Sequence, residues 1–412
     1  VKLHLITNLF APDELAGASL FSDLALYLQE RGHDVRVTCT FSYYPAWRLR
    51  PEDVGVSLRE ESFHGIPVRR VRMHVPERPT GKARMMSDLS FLLSLLRRAR
   101  FPGWLPDVVI TASPMFSQCL AQRFLYAGRR IPRLIVVQDF VVDAALELGL
   151  LRLPGLPPIL KALERWAFRS AQTLTTISPG MLEKLRGIVG ADRRTVFIPN
   201  WIHGSLAAEI QRQQVTAPER ETGVLFYSGN LGVKQGLPDF LEMYRQTAQG
   251  WTLRIHGGGA EAERLRSGLQ SGDGVSMGEV LEEREYIRSL LSVSACLVTQ
   301  KAGVGANFLP SKLLPALATG TPVLAVCDPG SPLGVDVREG GFGAVVPPGG
   351  TSGLRAVLER WRAEPGELSA CTERARERAV LYARETVLSR YEEELVRFNH
   401  REHREHREGE GR

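Results

Sequence analysis

Short apolar runs alternate with amphipathic stretches along this 412-residue chain; the alternation breaks off at a polar stretch over 203–222 and then starts again. Before the break, residues 2–7, 34–40, 107–111, 133–137, 173–177 and 195–198 read as strands, with helical patterns over 18–31, 115–127, 157–170 and 179–188. After it, 223–228, 252–256, 295–299, 322–326 and 343–346 read as strands, and 236–247, 260–270, 281–293, 311–319 and 351–363 as helices. Strand, helix and strand in succession pair most simply in parallel, the helix crossing one face of the sheet. The doubled rhythm therefore predicts an α/β protein of two doubly wound, Rossmann-like domains, 1–202 and 223–367, joined by a linker over 203–222. Such sheets bind ligands at the carboxyl ends of their strands, so two of them facing across a cleft would hold the site in that cleft.

The composition is that of a globular protein. With 43% hydrophobic and 24% charged residues and a mean hydropathy of −0.12, a mainly disordered chain, a collagen-like one and an integral membrane protein are all disfavoured. Cys39, Cys119, Cys296, Cys327 and Cys371 form no CxxC and no Cys/His cluster, which argues against a zinc site or a disulfide scaffold and fits a reducing cytoplasm. Residues 1–6 form an apolar strand too short for the core of a signal peptide, so a cytoplasmic location is expected.

Charge is uneven. Residues 1–200 hold 27 Lys and Arg against 18 Asp and Glu, a net +9; residues 201–412 hold 25 against 28, a net −3. Two halves of opposite sign suggest different partners. Only seven of the 52 basic residues are lysines, at 2, 82, 161, 184, 234, 301 and 312. Arginine is the default surface cation, so a lysine inside a Gly-, Pro- or Ser-containing motif stands out.

Residues 85–96 are apolar or small except Asp88, with Lys82, Arg84, Arg97, Arg98 and Arg100 around them. Twelve residues cannot span a bilayer as a helix. Two readings stay open: a helix packed on its own domain, or an interfacial helix that binds an anionic membrane surface through 82–100. Residues 368–400 are helical and charged, and are expected to pack back toward the first domain. Residues 401–412 read as a frayed, solvated tail.

Four segments carry candidate chemistry. The first strand runs into a loop containing Gly17, where the backbone can approach a ligand and a helix follows. Ser228-Gly229-Asn230-Leu231-Gly232-Val233-Lys234-Gln235-Gly236 opens the second domain. Two glycines after a strand, then a lysine, suit a loop that holds phosphates by backbone amides and one ammonium, although Walker Gly-Lys-Ser/Thr is missing. The next strand ends in Gly257-Gly258-Gly259. The fourth segment runs from Gln300-Lys301 to Leu309-Pro310-Ser311-Lys312-Leu313: Pro310 suits the residue before a helix and Ser311 an N-cap, giving an anion site at the helix start. Lys234, Lys301 and Lys312 together suggest a diphosphate held without metal.

The order Gly-Asn-x-Gly-x-Lys-Gln-Gly, then a glycine-rich strand end, then Pro-Ser-Lys-Leu-Leu-x-Ala-Leu-Ala-Thr-Gly-Thr-Pro-Val resembles the GT-B nucleotide-sugar glycosyltransferases, specifically the retaining enzymes of family 4. Tyr43-Tyr44-Pro45-Ala46-Trp47, Gln138-Asp139-Phe140-Val141-Val142-Asp143 and Ile198-Pro199-Asn200-Trp201 point to the bacterial exopolysaccharide branch, similar to colanic-acid glycosyltransferases. The resemblance implies a donor, such as a UDP-sugar, bound by Gly17, Gly229, Asn230, Lys234, Gly257, Gly258, Glu279, Val280, Gln300, Lys301, Pro310, Ser311, Lys312 and Leu313. Lys234 falls at the family's phosphate-binding lysine, and Asn230 stands where an arginine is usual. The family's two glutamates would fall at Asn307 and Pro315; both are missing, so ribose recognition must differ.

Gln138 and Asp139 lie where relatives carry His or His-Asp facing the reacting sugar. The preferred role for Asp139 is to orient the acceptor hydroxyl or take its proton; a strand-end cap is the bland alternative, and Asp143 and Glu147 are other candidate carboxylates. The expected reaction moves a sugar to a saccharide or polyprenyl-diphosphate-linked acceptor, with Asp139, Lys234 and Lys312 carrying catalysis. No metal or other cofactor is expected, and retention follows from the resemblance alone. Rivals are a nucleotide-sugar epimerase on the same scaffold and a non-catalytic sugar-nucleotide-binding subunit. Nucleic-acid binding is disfavoured, because the basic residues show no aromatic interleaving.

Overall fold

The computed structural model describes residues 1–409 apart from 14–15, 44–45, 78–80, 114, 141, 144–154, 248 and 305–308. The chain divides into two compact units, one of residues 1–177, 181–199 and 388–412, the other of 178–180 and 200–387.

The first unit contains β1 (Lys2–Ile6), α1 (Ala16–Glu30), β2 (Asp34–Thr40), β3 (Leu58–Phe63), β4 (Ile66–Val71), α2 (Gly81–Arg98), β5 (Val108–Ser113), α3 (Phe116–Leu125), β6 (Arg133–Val137), α4 (Leu156–Phe168), β7 (Thr173–Thr176), α5 (Pro179–Val189) and β8 (Arg194–Phe197). Its sheet has the order β3-β4-β2-β1-β5-β6-β7-β8, parallel except for the β3–β4 pair. Parallel strands covered on both faces are apolar throughout. In β1, even His4 is fully buried between Tyr126 Oη at 2.8 Å and Thr38 Oγ1 at 2.9 Å; burial drives its pKa down to about 3, so the ring is neutral.

The β3–β4 hairpin is absent from the sequence reading. Its turn, His64-Gly65, has φ of 48° and 87°, the left-handed pair that matches strand twist. Its charges mask it: Arg69 pairs with Glu60 and Arg70 with Glu61 across the ladder, so Leu-Arg-Glu-Glu reads as a surface loop although both arginines are buried.

The second unit contains α6 (Gly204–Gln214), β9 (Val224–Ser228), α7 (Leu237–Arg245), β10 (Thr252–His256), α8 (Ala262–Ser267), β11 (Val275–Gly278), α9 (Glu283–Ser292), β12 (Ala295–Thr299), α10 (Leu313–Ala318), β13 (Val323–Val326), α11 (Pro332–Gly340), β14 (Gly343–Val346), α12 (Thr351–Ala363) and α13 (Pro365–Ala379). Its sheet is parallel in the order β11-β10-β9-β12-β13-β14. One core layer gathers Phe226, Ile287, Leu290, Leu317 and Val337; the other gathers Leu225, Tyr227, Phe240, Leu253 and Trp361.

The stretch 203–222 is not a linker. His203 caps α6 by accepting the Leu206 amide at 3.3 Å, and Leu206 and Ile210 enter the core. Arg220 donates to four backbone carbonyls: Leu290 (2.8 Å), Val293 (2.9 Å), Thr319 (3.0 Å) and Gly320 (3.1 Å).

Nor is 368–400 one segment. α13 buries Cys371 and Ala375, and Tyr382 donates from its hydroxyl to Asp336 at 3.0 Å, all in the second unit. The last helix, α14 (Arg384–Gly409), belongs to the first unit from Leu388 onward and continues as helix into the stretch expected to fray. There Arg194 grips Glu394 with two nitrogens at 2.6 and 2.5 Å. Among the described residues, no helix is long and apolar enough to cross a membrane.

Candidate active site

The central strands β9, β10 and β12 of the second unit lie side by side, and their carboxyl ends bring the predicted glycines of this unit near Gln300 and Lys301. β9 passes into Gly229, β10 into Gly257 and Gly258, β12 into Gln300 and Lys301. Gly229 donates its amide to the His256 carbonyl at 2.9 Å, and Leu231 donates to the Gly258 carbonyl at 2.8 Å. A Cβ on Gly257 would stand 1.9 Å from the Gly229 carbonyl oxygen, at φ 154°, so only glycine permits the two loops to touch.

Lys234 sits on a 3₁₀ turn, Val233–Gln235, whose Gln235 side chain accepts the Gly232 amide at 3.1 Å. Its carbonyl accepts the Lys301 amide at 2.9 Å, which joins the backbones of two of the three predicted lysines. The Lys301 side chain is exposed, while Gln300 is buried.

Lys312 is the distinctive group. Its ammonium lies 3.6 Å from the centroid of the Tyr227 ring, and a Cβ placed on Gly229 would be 3.4 Å from it. Among the described residues it has no hydrogen-bond partner, and burial pushes its pKa down to about 8. A buried ammonium held by an aromatic face and lacking an anion is costly in isolation and well suited to receiving one. Tyr227, which the sequence reading places in a strand without a role in the site, is the floor: fully buried, it donates its hydroxyl to the Asn230 carbonyl at 2.7 Å and so ties the first glycine loop to the lysine. Nothing in the sequence separates this tyrosine from an ordinary core aromatic.

Other expectations need correction. α10 begins at Leu313 and has six residues; Lys312, not Ser311, is the residue before it, and no side chain caps it. So short a helix has little dipole, so charge at this point comes from Lys312 rather than from a helix end. Pro310 and Leu313 are buried and anchor the segment; Ser311 is exposed. The Glu279 carboxylate turns outward to Arg266 at 2.9 Å, while its carbonyl accepts from His256 Nδ1 at 3.1 Å. Exposed Val280 lies beside Gly258, where a Cβ would meet its Cγ2 at 3.6 Å. Pro315 is within α10, and Asn307 lies outside the described residues.

In the first unit, Gly17 lies in the first turn of α1, with open space where a Cβ would be. Gln138 continues the ladder, its amide donating to the Ser113 carbonyl at 3.1 Å. Asp139 is exposed at the end of β6, and its Oδ1 accepts the Phe140 amide at 2.8 Å, the strand-end cap. Asp143 is locked between Lys184 at 2.7 Å and Lys161 at 2.9 Å, which hold its carboxyl below the usual range and make it a poor proton acceptor. Two of the scarce lysines thus serve an ion pair. Beside it Glu164, which sequence reasoning passed over, is buried with its pKa raised to about 7 by desolvation. Glu147 lies outside the described residues.

Residues 18–201 match the model of the glycosyl transferase 4-like domain. The chain is 28% identical over 325 residues to the putative colanic acid biosynthesis glycosyl transferase WcaI of Escherichia coli, covering 74% of this chain and 79% of that one. It is 22% identical to the probable glycosyltransferase WbjE of Pseudomonas aeruginosa, over 68% of this chain and 71% of that one. In structure it is similar to sucrose-phosphate synthase of Thermosynechococcus elongatus, with a TM-score of 0.70 at 16% identity, covering 96% and 98% of the two chains. It is also similar to HepE of Anabaena in complex with UDP-glucose, with a TM-score of 0.64 at 14% identity over 96% and 99%. Over 18–201 the chain is thus similar to the glycosyl transferase 4-like domain, and its two Rossmann-like units have the fold of the GT-B glycosyltransferases among its structural neighbours.

Proposed function

We propose that the chain is a retaining, metal-independent glycosyltransferase of polysaccharide biosynthesis, moving a sugar from a nucleoside diphosphate to a saccharide or polyprenyl-diphosphate-linked acceptor. One observation carries the reading: the Lys312 ammonium, without a hydrogen-bond partner among the described residues, is seated on Tyr227 at the edge of the Gly229 loop. The diphosphate lies against Gly229 and Gly257–Gly258, with Lys312 beneath it and Lys234 and Lys301 at its margin. As the glycosidic bond breaks, negative charge grows on the leaving diphosphate, and a preorganised cation stabilises it most where water is scarce. Val280 borders the base. That HepE binds UDP and UDP-glucose makes UDP-sugars the first donors to try.

On the acceptor side Asp139 orients the hydroxyl; Asp143, spent on two lysines, does not. A lipid-linked acceptor fits the basic first unit and the exposed Met85, Met86, Leu89 and Leu93 of α2.

Thermal-shift screening against UDP-, GDP- and dTDP-sugars identifies the donor, since a ligand stabilises the fold it binds. With that donor, transfer persists in EDTA, and Lys312→Met lowers kcat by roughly 100- to 1000-fold. Turnover that EDTA abolishes overturns the metal-free clamp. Release of free nucleotide without acceptor favours an epimerase, and donor binding without any turnover favours a binding subunit.

A further inference from the structure

α3 packs against both α2 and α4 in the first unit. The three helices expose a set of large apolar side chains: Met85, Met86, Leu89 and Leu93 on α2, Phe124 on α3, and Ile159, Leu163 and Trp166 on α4, each 39–59% exposed. The α4 residues follow at i, i+4 and i+7, which is one face of a helix. Phe124 and Trp166 join α3 to α4, their ring centroids 5.7 Å apart, with the Arg123 guanidinium 4.0 Å from the centre of the Trp166 ring.

The charges on these three helices are mostly of one sign. The helices carry Lys82, Arg84, Arg97, Arg98, Arg123, Lys161 and Arg165, and only two carboxylates, Asp88 and Glu164. Both carboxylates turn inward: Asp88 accepts the Ser117 amide at 2.8 Å, and Glu164 is buried. Among the described residues, Lys161 is the one cation of these seven paired with a carboxylate, Asp143. Among the described residues, these three helices thus expose apolar and cationic side chains and no fully exposed carboxylate.

We propose that α2, α3 and α4 together form a docking surface for the anionic face of a lipid bilayer, with Ile159, Leu163, Trp166 and Phe124 entering the acyl boundary alongside the α2 residues. The inference deepens the membrane reading of 82–100 and rests on it, adding a second helix that the sequence did not single out. Trp and Phe beside Arg suit the headgroup level, and long cationic side chains reach phosphates while their stems stay apolar. A second copy of the chain is a poor occupant, because a two-fold contact would press one cationic rim against another.

The test uses the full chain in flotation with phosphatidylcholine vesicles, with and without phosphatidylglycerol, at low and high salt. Partitioning to the anionic vesicles is expected to exceed that to neutral ones by about tenfold and to weaken with salt. The Ile159→Ser/Leu163→Ser/Trp166→Ser variant, α2 intact, is expected to bind about tenfold more weakly while keeping its melting temperature and its thermal shift with nucleotide sugar. Trp166 fluorescence should shift to the blue on binding, and Trp166→Phe should remove that shift. Absence of binding to anionic vesicles overturns the proposal, as does full binding by the triple variant. So does a concentration-dependent dimer that the triple variant dissolves, which would make the face a self-contact. The donor thermal shift does not depend on vesicles, so failure here leaves the donor reading separately judged.

Discussion

Lys312 is where function and stability oppose each other. Its pKa falls from 10.5 to about 8 because burial penalises the ammonium, and the Tyr227 ring only partly offsets this. Between these values the unfolded chain binds more protons than the folded one, so this residue makes stability rise as pH climbs from about 8 to about 10.5; below that window its destabilising effect is constant. Donor affinity runs the other way, because a diphosphate needs the charged form. Affinity should be level below about pH 8 and fall by up to about tenfold per unit above it. Titrating donor binding by calorimetry checks this. Lys312→Arg should lose that fall, since a guanidinium stays charged, at some cost in geometry. A wild-type affinity that holds level well past pH 8 would contradict the assignment of Lys312 to the diphosphate.

Elements differ in how far they can be read from sequence, and Arg220 shows why. Its guanidinium gathers carbonyls from the end of α9 and from the turn after α10, about 70 and 100 residues away, so its role depends entirely on distant backbone. Arg220→Met should leave those acceptors unpaired and lower stability by about 2–4 kcal/mol in urea denaturation, with Arg220→Lys a poor rescue because one ammonium cannot span them. A loss below about 1 kcal/mol would mean that water replaces it. The parallel strands were legible because burial on both faces leaves them uniformly apolar, as in β6 and β12. The β3–β4 hairpin was not, because Arg69 and Arg70 are neutralised by Glu60 and Glu61 across the ladder, and α6 was hidden by its polar outer face. In the candidate site, glycines and scarce lysines announced themselves; Tyr227 did not, since its contact with Lys312 joins segments 85 residues apart in sequence.

At the scale of the molecule, the chain leaves its first unit at Pro199, builds all of the second except residues 178–180, and returns at Leu388 to finish the first. The returning helix contributes Leu388, Tyr391, Leu395 and Phe398 as buried side chains, and Glu394 as the partner of Arg194. The first unit therefore cannot complete its packing until the end of the chain is available, whereas the second unit has all its residues in one nearly continuous stretch. Contacts of such long sequence separation are slow to form. Stability should divide in the same way. Leu395→Ala removes a fully buried side chain and should cost about 2–5 kcal/mol, all of it in the first unit. Calorimetry of the wild type with nucleotide sugar should move upward the transition of the unit that holds Lys312; in Leu395→Ala the other transition should move down and the nucleotide-sensitive one stay in place. If the two shifts fall on one and the same transition, the units unfold as a single cooperative body and α14 supports both.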